Sequence, residues 1–335
     1  MNKSILVTGG SGYIGSHCVL ELHKKGYKVI IIDNLSNSKL NVLDGINKIL
    51  GPNNIEFFEI DLCNMLALQE LFSKHKIDSV IHFAANKSIP ESIINPMRFY
   101  QNNILGSLNL LQVMKENQIN NIIFSSSATV YDEKNTMPLD EKSSIINPLN
   151  PYGKSKLFIE EVIRDIAYSN EEFNAGILRY FNPLGAHSSG LIGEDPILPP
   201  DNLGPALLKA INSEKKEFNI YGNDYETSDG TCVRDYIHIM DLARGHVSAL
   251  ESKNKEQNFN IWNLGSGKGY SVLEVIKCFE EVADIEIKIN YCPRRNGDIP
   301  ISFASNTKAL NELGWTTKRD LHQMLNDLIK WDGNN

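Results

Sequence analysis

Tyr152 and Lys156, in the run Pro151-Tyr152-Gly153-Lys154-Ser155-Lys156, pair a proton-transfer group with a cation able to tune it. Residues four apart share one face of a helix, which brings an ammonium beneath a phenol. A free phenol, with a pKa near ~10, is a weak base at neutral pH, and lowering it by about three units takes roughly 4 kcal/mol of differential stabilisation. A neighbouring ammonium favours the phenolate and would make Tyr152 a general base. By itself the pair fits equally the start of a surface helix and a solvated lysine. A second proton-transfer group stands upstream in Phe124-Ser125-Ser126-Ser127-Ala128-Thr129-Val130-Tyr131, where Ser127 could share a proton with a substrate hydroxyl and with Tyr152.

Such groups need a scaffold, and the first half of the chain alternates strand-like with helical runs. Ile5 to Val7, Val29 to Ile32, Glu56 to Ile60, Val80 to Phe83, Ile122 to Phe124 and Ala175 to Tyr180 are the strand candidates. Several are continuously apolar and rich in Ile and Val, as strands covered on both faces are. The alternation predicts an α/β fold on a doubly wound parallel sheet. Asn95-Pro96 reads as a helix start, a capping side chain before a proline, with apolar recurrences at Leu105, Leu108, Leu111 and Met114. The serine run then emerges at the carboxyl edge of the sheet, where open α/β folds place their ligands.

Thr8-Gly9-Gly10-Ser11-Gly12-Tyr13-Ile14-Gly15 lies between the first strand and a helix continuing through Val19 and Leu22. Glycines there let backbone amides approach a pyrophosphate at the helix N-terminus, and the last permits close packing of helix on strand. Asp33, ending the second strand, offers a carboxylate to both hydroxyls of an adenosine ribose and repels a 2′-phosphate, so the expected cofactor is NAD. Asp61, past the third strand, stands where an adenine amino group would be met, and a helix cap accounts for it equally.

A net charge of -8 over 335 residues argues against nucleic acid or an anionic membrane as partner, so an anionic ligand needs local arginines. The five cysteines, Cys18, Cys63, Cys232, Cys278 and Cys292, are odd in number and lack C-x-x-C spacing. Neither a disulfide framework nor a metal site is expected, and a cytoplasmic protein is. The apolar run Ile5 to Val7 is too short for a signal-peptide core, and no later run approaches the ~18 apolar residues of a membrane span. Pro183 to Asp201, rich in Gly, Pro and Ser, reads as a loop entering a smaller lobe. Val233 to Leu242 and Phe259 to Leu264 read as returns to the main sheet. The expected division is 1–182 plus about 230–266 for the cofactor, and about 183–229 plus 267–335 for a smaller, discontinuous α/β substrate lobe.

The glycine loop, Asp33, the serine run and Tyr152 with Lys156 together resemble the extended short-chain dehydrogenases. Asp33-Asn34-Leu35-Ser36-Asn37-Ser38, Arg179-Tyr180-Phe181-Asn182-Pro183, Gly222-Asn223-Asp224-Tyr225 and Val233-Arg234-Asp235-Tyr236-Ile237-His238 narrow the resemblance to the UDP-glucose 4-epimerase family. It spans about Ser4 to Trp315 and implies a Rossmann-type sheet, tightly held NAD, UDP-hexose substrates and a homodimer formed through the helices after Asn95 and Tyr152. In the chemistry it implies, Tyr152 or Ser127 takes the proton of the sugar 4-hydroxyl while hydride leaves C4 for the nicotinamide. The keto sugar turns about its diphosphate linkage and hydride returns to its other face. Lys156 would bind the nicotinamide ribose and hold Tyr152 as phenolate.

The resemblance carries cofactor contacts onto Gly9, Gly12, Tyr13, Ile14, Gly15, Asp33, Asn34, Leu35, Ser36, Asn37, Ser38, Asp61, Leu62, Phe83, Ala84, Ala85, Lys87, Asn102, Ser125 and Tyr180, with Tyr152 and Lys156. Substrate contacts fall on Lys87, Ser127, Tyr152, Phe181, Asn182, Asn202, Leu203, Asn219, Tyr221, Arg234, Arg295, Asp298 and Ser302. Without it, Phe83 and Tyr180 fit core aromatics and Arg234 fits a surface ion pair with Asp235. Asp132, where the family commonly has glycine, and Asn86 and Pro90 beside Lys87 depart from the pattern and put local loop shape in question. Ser302 departs more informatively. Members restricted to glucose and galactose tend to carry a tyrosine there, and members taking N-acetylated sugars a small residue, so UDP-GlcNAc and UDP-GalNAc are expected substrates as well. Two other readings compete. A nucleotide-sugar 4,6-dehydratase needs an acid and a base, usually Asp-Glu, where Ala128-Thr129 stand. A non-catalytic NAD-binding regulator needs the glycine loop but not Ser127, Tyr152 and Lys156 together.

Overall fold

The computed structural model describes residues 3–197, 202–252, 257–295 and 297–334. The first six strand candidates become β1 (Ser4–Thr8), β2 (Lys28–Asp33), β3 (Ile55–Glu59), β4 (Ser79–His82), β5 (Asn121–Ser127) and β6 (Asn174–Tyr180). They are followed by β7 (Asn182–Leu184), β8 (Glu217–Tyr221), β9 (Val233–His238), β10 (Phe259–Leu264), β11 (Gly269–Ser271), β12 (Lys288–Cys292) and β13 (Ile301–Ser302). β1 to β6 and β10 form one seven-stranded sheet in the order 3-2-1-4-5-6-10, every pair parallel. The order reverses between β1 and β4, which opens a crevice at the carboxyl ends of the strands.

The continuous apolar runs have the cause inferred for them. Alternate residues of one strand feed two cores: Ile5, Val7 and Ile31 join Val19, Leu22, Leu242 and Val247 on one face. Leu6, Ile30 and Ile32 join Leu110, Met114, Ile159 and Ile163 on the other. A third core, including Leu207, Ile220, Tyr236, Phe279, Leu325 and Trp331, fills the smaller lobe.

Three expectations are corrected. Phe259 to Leu264 returns to the main sheet as β10, but β9 does not: it pairs with β7, β11 and β13 in a separate small sheet. Only the following helix, Ile239–Leu250, comes back to pack on the Tyr13–Lys24 helix. Strand pattern marks a strand but not the sheet it joins, so local sequence could not separate them. Asn95 makes no side-chain capping bond. The Pro96–Phe99 turn instead runs into a π-helical segment, Tyr100–Leu105, ahead of the Gly106–Glu116 helix. Leu111 and Met114 are buried while Leu105 and Leu108 are 46% and 40% exposed, because a strict three-residue spacing drifts around a helix of about 3.6 residues per turn and does not stay on one face. The expected loop from Pro183 starts as strand β7, and its residues 198–201 lie outside the described residues. Among the described residues no helix is long and apolar enough to cross a membrane.

Candidate active site

A cleft of about 340 Å³ runs along the carboxyl ends of the strands, from Asp33 and Asp61 past the glycine loop to Tyr152 and Lys156, and on to Asn182 and Asn202. At its first end the helix after the glycine loop begins at Gly12 without a side-chain cap, which leaves its first amides for a ligand. Gly9 has φ +69°, and a Cβ there would lie 2.7 Å from the Ala84 nitrogen; one on Gly15 would lie 2.3 Å from the Gly9 oxygen. Only glycine fits these two positions. Asp33 Oδ2 accepts from the Ser11 amide at 3.1 Å. Its Oδ1 accepts from the Leu35 amide and the Ser38 hydroxyl, both at 2.9 Å. Burial pushes the Asp33 pKa up, and these donors pull against it. Asp61 is tied to the same corner, accepting from Asn34 Nδ2 at 3.0 Å and capping the Cys63 amide at 2.8 Å. The Ser11 hydroxyl is buried with no partner. Uncapped amides, an orphaned hydroxyl and a fixed carboxylate are the donor and acceptor set that a dinucleotide's pyrophosphate and ribose need.

At the reactive end Ser125 to Ser127 are the last residues of β5 rather than a loop after it. Ser127 Oγ accepts from both the amide and the hydroxyl of Thr129, at 3.2 and 3.0 Å. The helix Pro151–Ser169 opens with Asn150 accepting from the Gly153 amide and proline in the first turn, which fixes where Tyr152 points. Tyr152 and Lys156 are 8% and 2% exposed. Lys156 Nζ donates to the Ser125 carbonyl at 2.7 Å and lies 6.0 Å from the Tyr152 ring centre. Burial raises Tyr152 to about 12 while the Ser127 hydroxyl pulls it down. Burial lowers Lys156 to about 7 against the opposing charge of Glu160. Burial thus works against the phenolate that the spacing to Lys156 favours.

Several supporting residues escaped the sequence reading. Thr129, which the sequence marks only as lacking a carboxylate, donates twice to Ser127 Oγ. Glu160 accepts from Ser126 Oγ and, through both oxygens, from Arg179 on the adjacent strand. It stands four residues past Lys156, so helical spacing was a usable signal. Asn103, in the π-helical segment, donates to the Asn86 carbonyl and to Ser155 Oγ, both at 3.0 Å, joining the Lys87 loop to the Tyr152 helix. Tyr180 and Ser125, both assigned from sequence, share a hydrogen bond through Oη and Oγ.

Of the residues assigned from sequence, most of the cofactor set lines the cleft, as do Ser127, Phe181, Asn182 and Asn202 on the substrate side. Leu35, Ser125, Leu203, Asn219, Tyr221, Arg234, Arg295, Asp298 and Ser302 do not line it. Several of these gather separately in the smaller lobe. Asp298 lies 3.8 Å from Arg234 and accepts from Arg295 Nε at 3.0 Å. The Arg295 guanidinium covers the Tyr221 ring at 5.0 Å, and Ser302 pairs in register with Arg234. Arg234 does not pair with Asp235, whose carboxylate is filled by Ser266, Gly267 and Ala304 donors. Among the described residues no cluster of His, Cys, Asp and Glu is placed to hold a metal ion.

Residues 5–265 match the NAD dependent epimerase/dehydratase family. UDP-glucose 4-epimerase of Yersinia enterocolitica is 48% identical over 98% of this chain and 97% of its own. The crystal structure of UDP-glucose 4-epimerase from Bifidobacterium longum in complex with NAD+ and UDP superposes with a TM-score of 0.96 at 43% identity, over 99% of each chain. The UDP-Glc/GlcNAc 4-epimerase of Campylobacter jejuni is 35% identical with a TM-score of 0.84 over 100% of each chain. The chain belongs to the NAD dependent epimerase/dehydratase family and, within it, to the UDP-glucose 4-epimerases.

Proposed function

We propose that the protein interconverts UDP-glucose and UDP-galactose by transient oxidation at C4, with NAD held in the cleft through the whole cycle. The observation that carries this is Ser127, Tyr152 and Lys156 lining one cleft with the glycine loop and Asp33. Bound NAD supplies the hydride acceptor and donor and a positively charged ring. Asp33 would hold the adenosine ribose, the amides after Gly12 the pyrophosphate, and Lys156 and Tyr180 the nicotinamide end. Ser127 accepts twice from Thr129, so its own proton is free to donate outward. Tyr152 then takes the proton of the 4-hydroxyl through or beside Ser127, and returns it when the keto carbon is reduced. Ala128 and Thr129 offer no carboxylate to remove a C5 proton, which disfavours the dehydratase. Arg234 and Arg295, steadied by Asp298, would grip the diphosphate in the smaller lobe, with Tyr221 and Asn219 near the nucleoside, leaving the hexose free to turn. The smaller lobe, about 183–229 with 267–335 and joined by β9, is assigned this role, and 1–182 with the rest of about 230–266 the cofactor.

Ser302, buried beside Arg234, is a small side chain where a tyrosine would add bulk, and on that ground UDP-GlcNAc and UDP-GalNAc are proposed as further substrates. A Ser302→Tyr variant should lose that turnover selectively; active wild type that never converts UDP-GalNAc sinks the idea. A homodimer is proposed through Ile93, Ile94, Met97 and Phe158, which are 49–83% exposed on helices that pack side by side. The free state of all five cysteines supports a reducing cytoplasm. The deciding experiment gives the purified protein UDP-galactose without added NAD. UDP-glucose with no accumulation of reduced cofactor is expected; a 4-keto-6-deoxy sugar would reinstate the dehydratase, and no product the silent binding protein.

A further inference from the structure

One buried acid on the cleft wall has no part in the chemistry above. Glu194, 6% exposed, lies on the segment after β7. Its Oε1 accepts from Lys87 Nζ at 2.7 Å and from Asn202 Nδ2 at 2.6 Å. Lys87 follows β4 on the cofactor side of the cleft. Asn202 opens the Leu203–Ile211 helix of the smaller lobe. All three line the cleft. The same segment is tied to the cofactor side twice more: Tyr13 Oη donates to the Gly185 carbonyl at 2.6 Å, and Lys39 Nζ binds both Asp195 oxygens at 2.7 and 2.8 Å.

A carboxylate beside a cleft meant for two diphosphates repels its ligands and is costly to bury, so anion binding gives no reason for it. Its geometry does. One oxygen serves as the shared acceptor for a donor from each side, and the bond from Lys87 is charge-assisted. We infer that Glu194 is a positioning residue that holds the cofactor side and the sugar-nucleotide side of the cleft in one register, so that NAD retention and sugar-nucleotide affinity depend on the same carboxylate. This rests on the proposed epimerase function. Loss of the Glu194 charge frees the Lys87 ammonium and removes the link between it and Asn202, which loosens the register of the two sides where the ligands lie, while Ser127, Tyr152 and Lys156, held by their own partners, stay in place.

The test uses holoenzyme of wild type, Glu194→Gln, Glu194→Asp and Asn202→Ala, measuring NAD retained after desalting, KM and kcat for UDP-galactose, and the thermal midpoint. For Glu194→Gln, NAD retention should fall severalfold and KM rise roughly three- to tenfold, with kcat changing less than KM. Glu194→Asp should recover part of both. Asn202→Ala, altered only on the sugar-nucleotide side, should also lower NAD retention, and this arm stands even where Glu194→Gln fails to fold. The inference is overturned if NAD retention in Asn202→Ala equals wild type, if kcat alone falls, or if the thermal midpoint drops with KM and NAD unchanged. Wild type that carries NAD yet leaves UDP-galactose unconverted refutes the proposed function, and the NAD-retention comparison then still decides the role of Glu194.

Discussion

Replacing Lys156 by methionine isolates the electrostatic part of its role. Methionine keeps much of the buried volume and removes the charge. With the ammonium 6.0 Å from the Tyr152 ring centre and an effective dielectric of about 20, the lost attraction for a phenolate is about 3 kcal/mol, or about two pKa units. Tyr152 stands at about 12 with Lys156 and the Ser127 hydroxyl already beside it, so the further lowering toward neutrality must come from the charge of the bound cofactor. Turnover of UDP-galactose at neutral pH should therefore fall about 10²-fold, and the rising acid limb of the kcat profile should move up by about two pH units. The assay is product formation across a pH series on protein whose NAD content and thermal midpoint are measured in parallel, because the bond to the Ser125 carbonyl is lost too. A uniform loss at every pH, with the limb unmoved, would refute the electrostatic reasoning and leave Lys156 as a ribose-binding and packing residue.

Breaking the Glu160–Arg179 pair, whose side chains are 0% and 1% exposed, should destabilise the fold by about 3–5 kcal/mol in Glu160→Leu, while Glu160→Leu with Arg179→Met should regain most of it; denaturant midpoints check this, and a double variant as unstable as the single one counts against it. Burial pushes His17 and His82 down to about 3 and His246 to about 4. The unfolded chain therefore takes up protons first, so the stability these rings contribute is whole above about pH 6.5 and is lost as pH falls through their folded values. The thermal midpoint should drop from about pH 7 to about pH 5, less steeply in His246→Gln, and an unchanged slope in that variant would count against the assignment. Gly9→Ala places a Cβ 2.7 Å from the Ala84 nitrogen at φ +69°, so the variant should purify with little NAD and lose roughly 1–3 kcal/mol of stability. Full NAD content in that variant would contradict the close-approach argument.

The sequence by itself determined the parallel sheet, the strand–glycine loop–helix with its acid, and Tyr152 and Lys156 on one helical face. These depend on residue type and short spacing, which the backbone translates directly into geometry. As the alternative to a diphosphate contact it offered Arg234 an ion pair with Asp235, the neighbour in sequence; the fold turns that side chain inward and places Asp298 near Arg234 instead. What only the tertiary structure decided is of that long-range kind. β9 joins the small sheet between the two cores, with Ile237 in the main core and Tyr236 in that of the smaller lobe. Glu194 meets Lys87, 107 positions away, because two loops cross the same cleft. The Tyr152 pKa is raised by burial from every side, a cause that its own helix does not display. Local pattern records which groups a chain carries, but desolvation and cross-lobe pairing depend on everything packed around them, and that is settled only when the lobes close on each other.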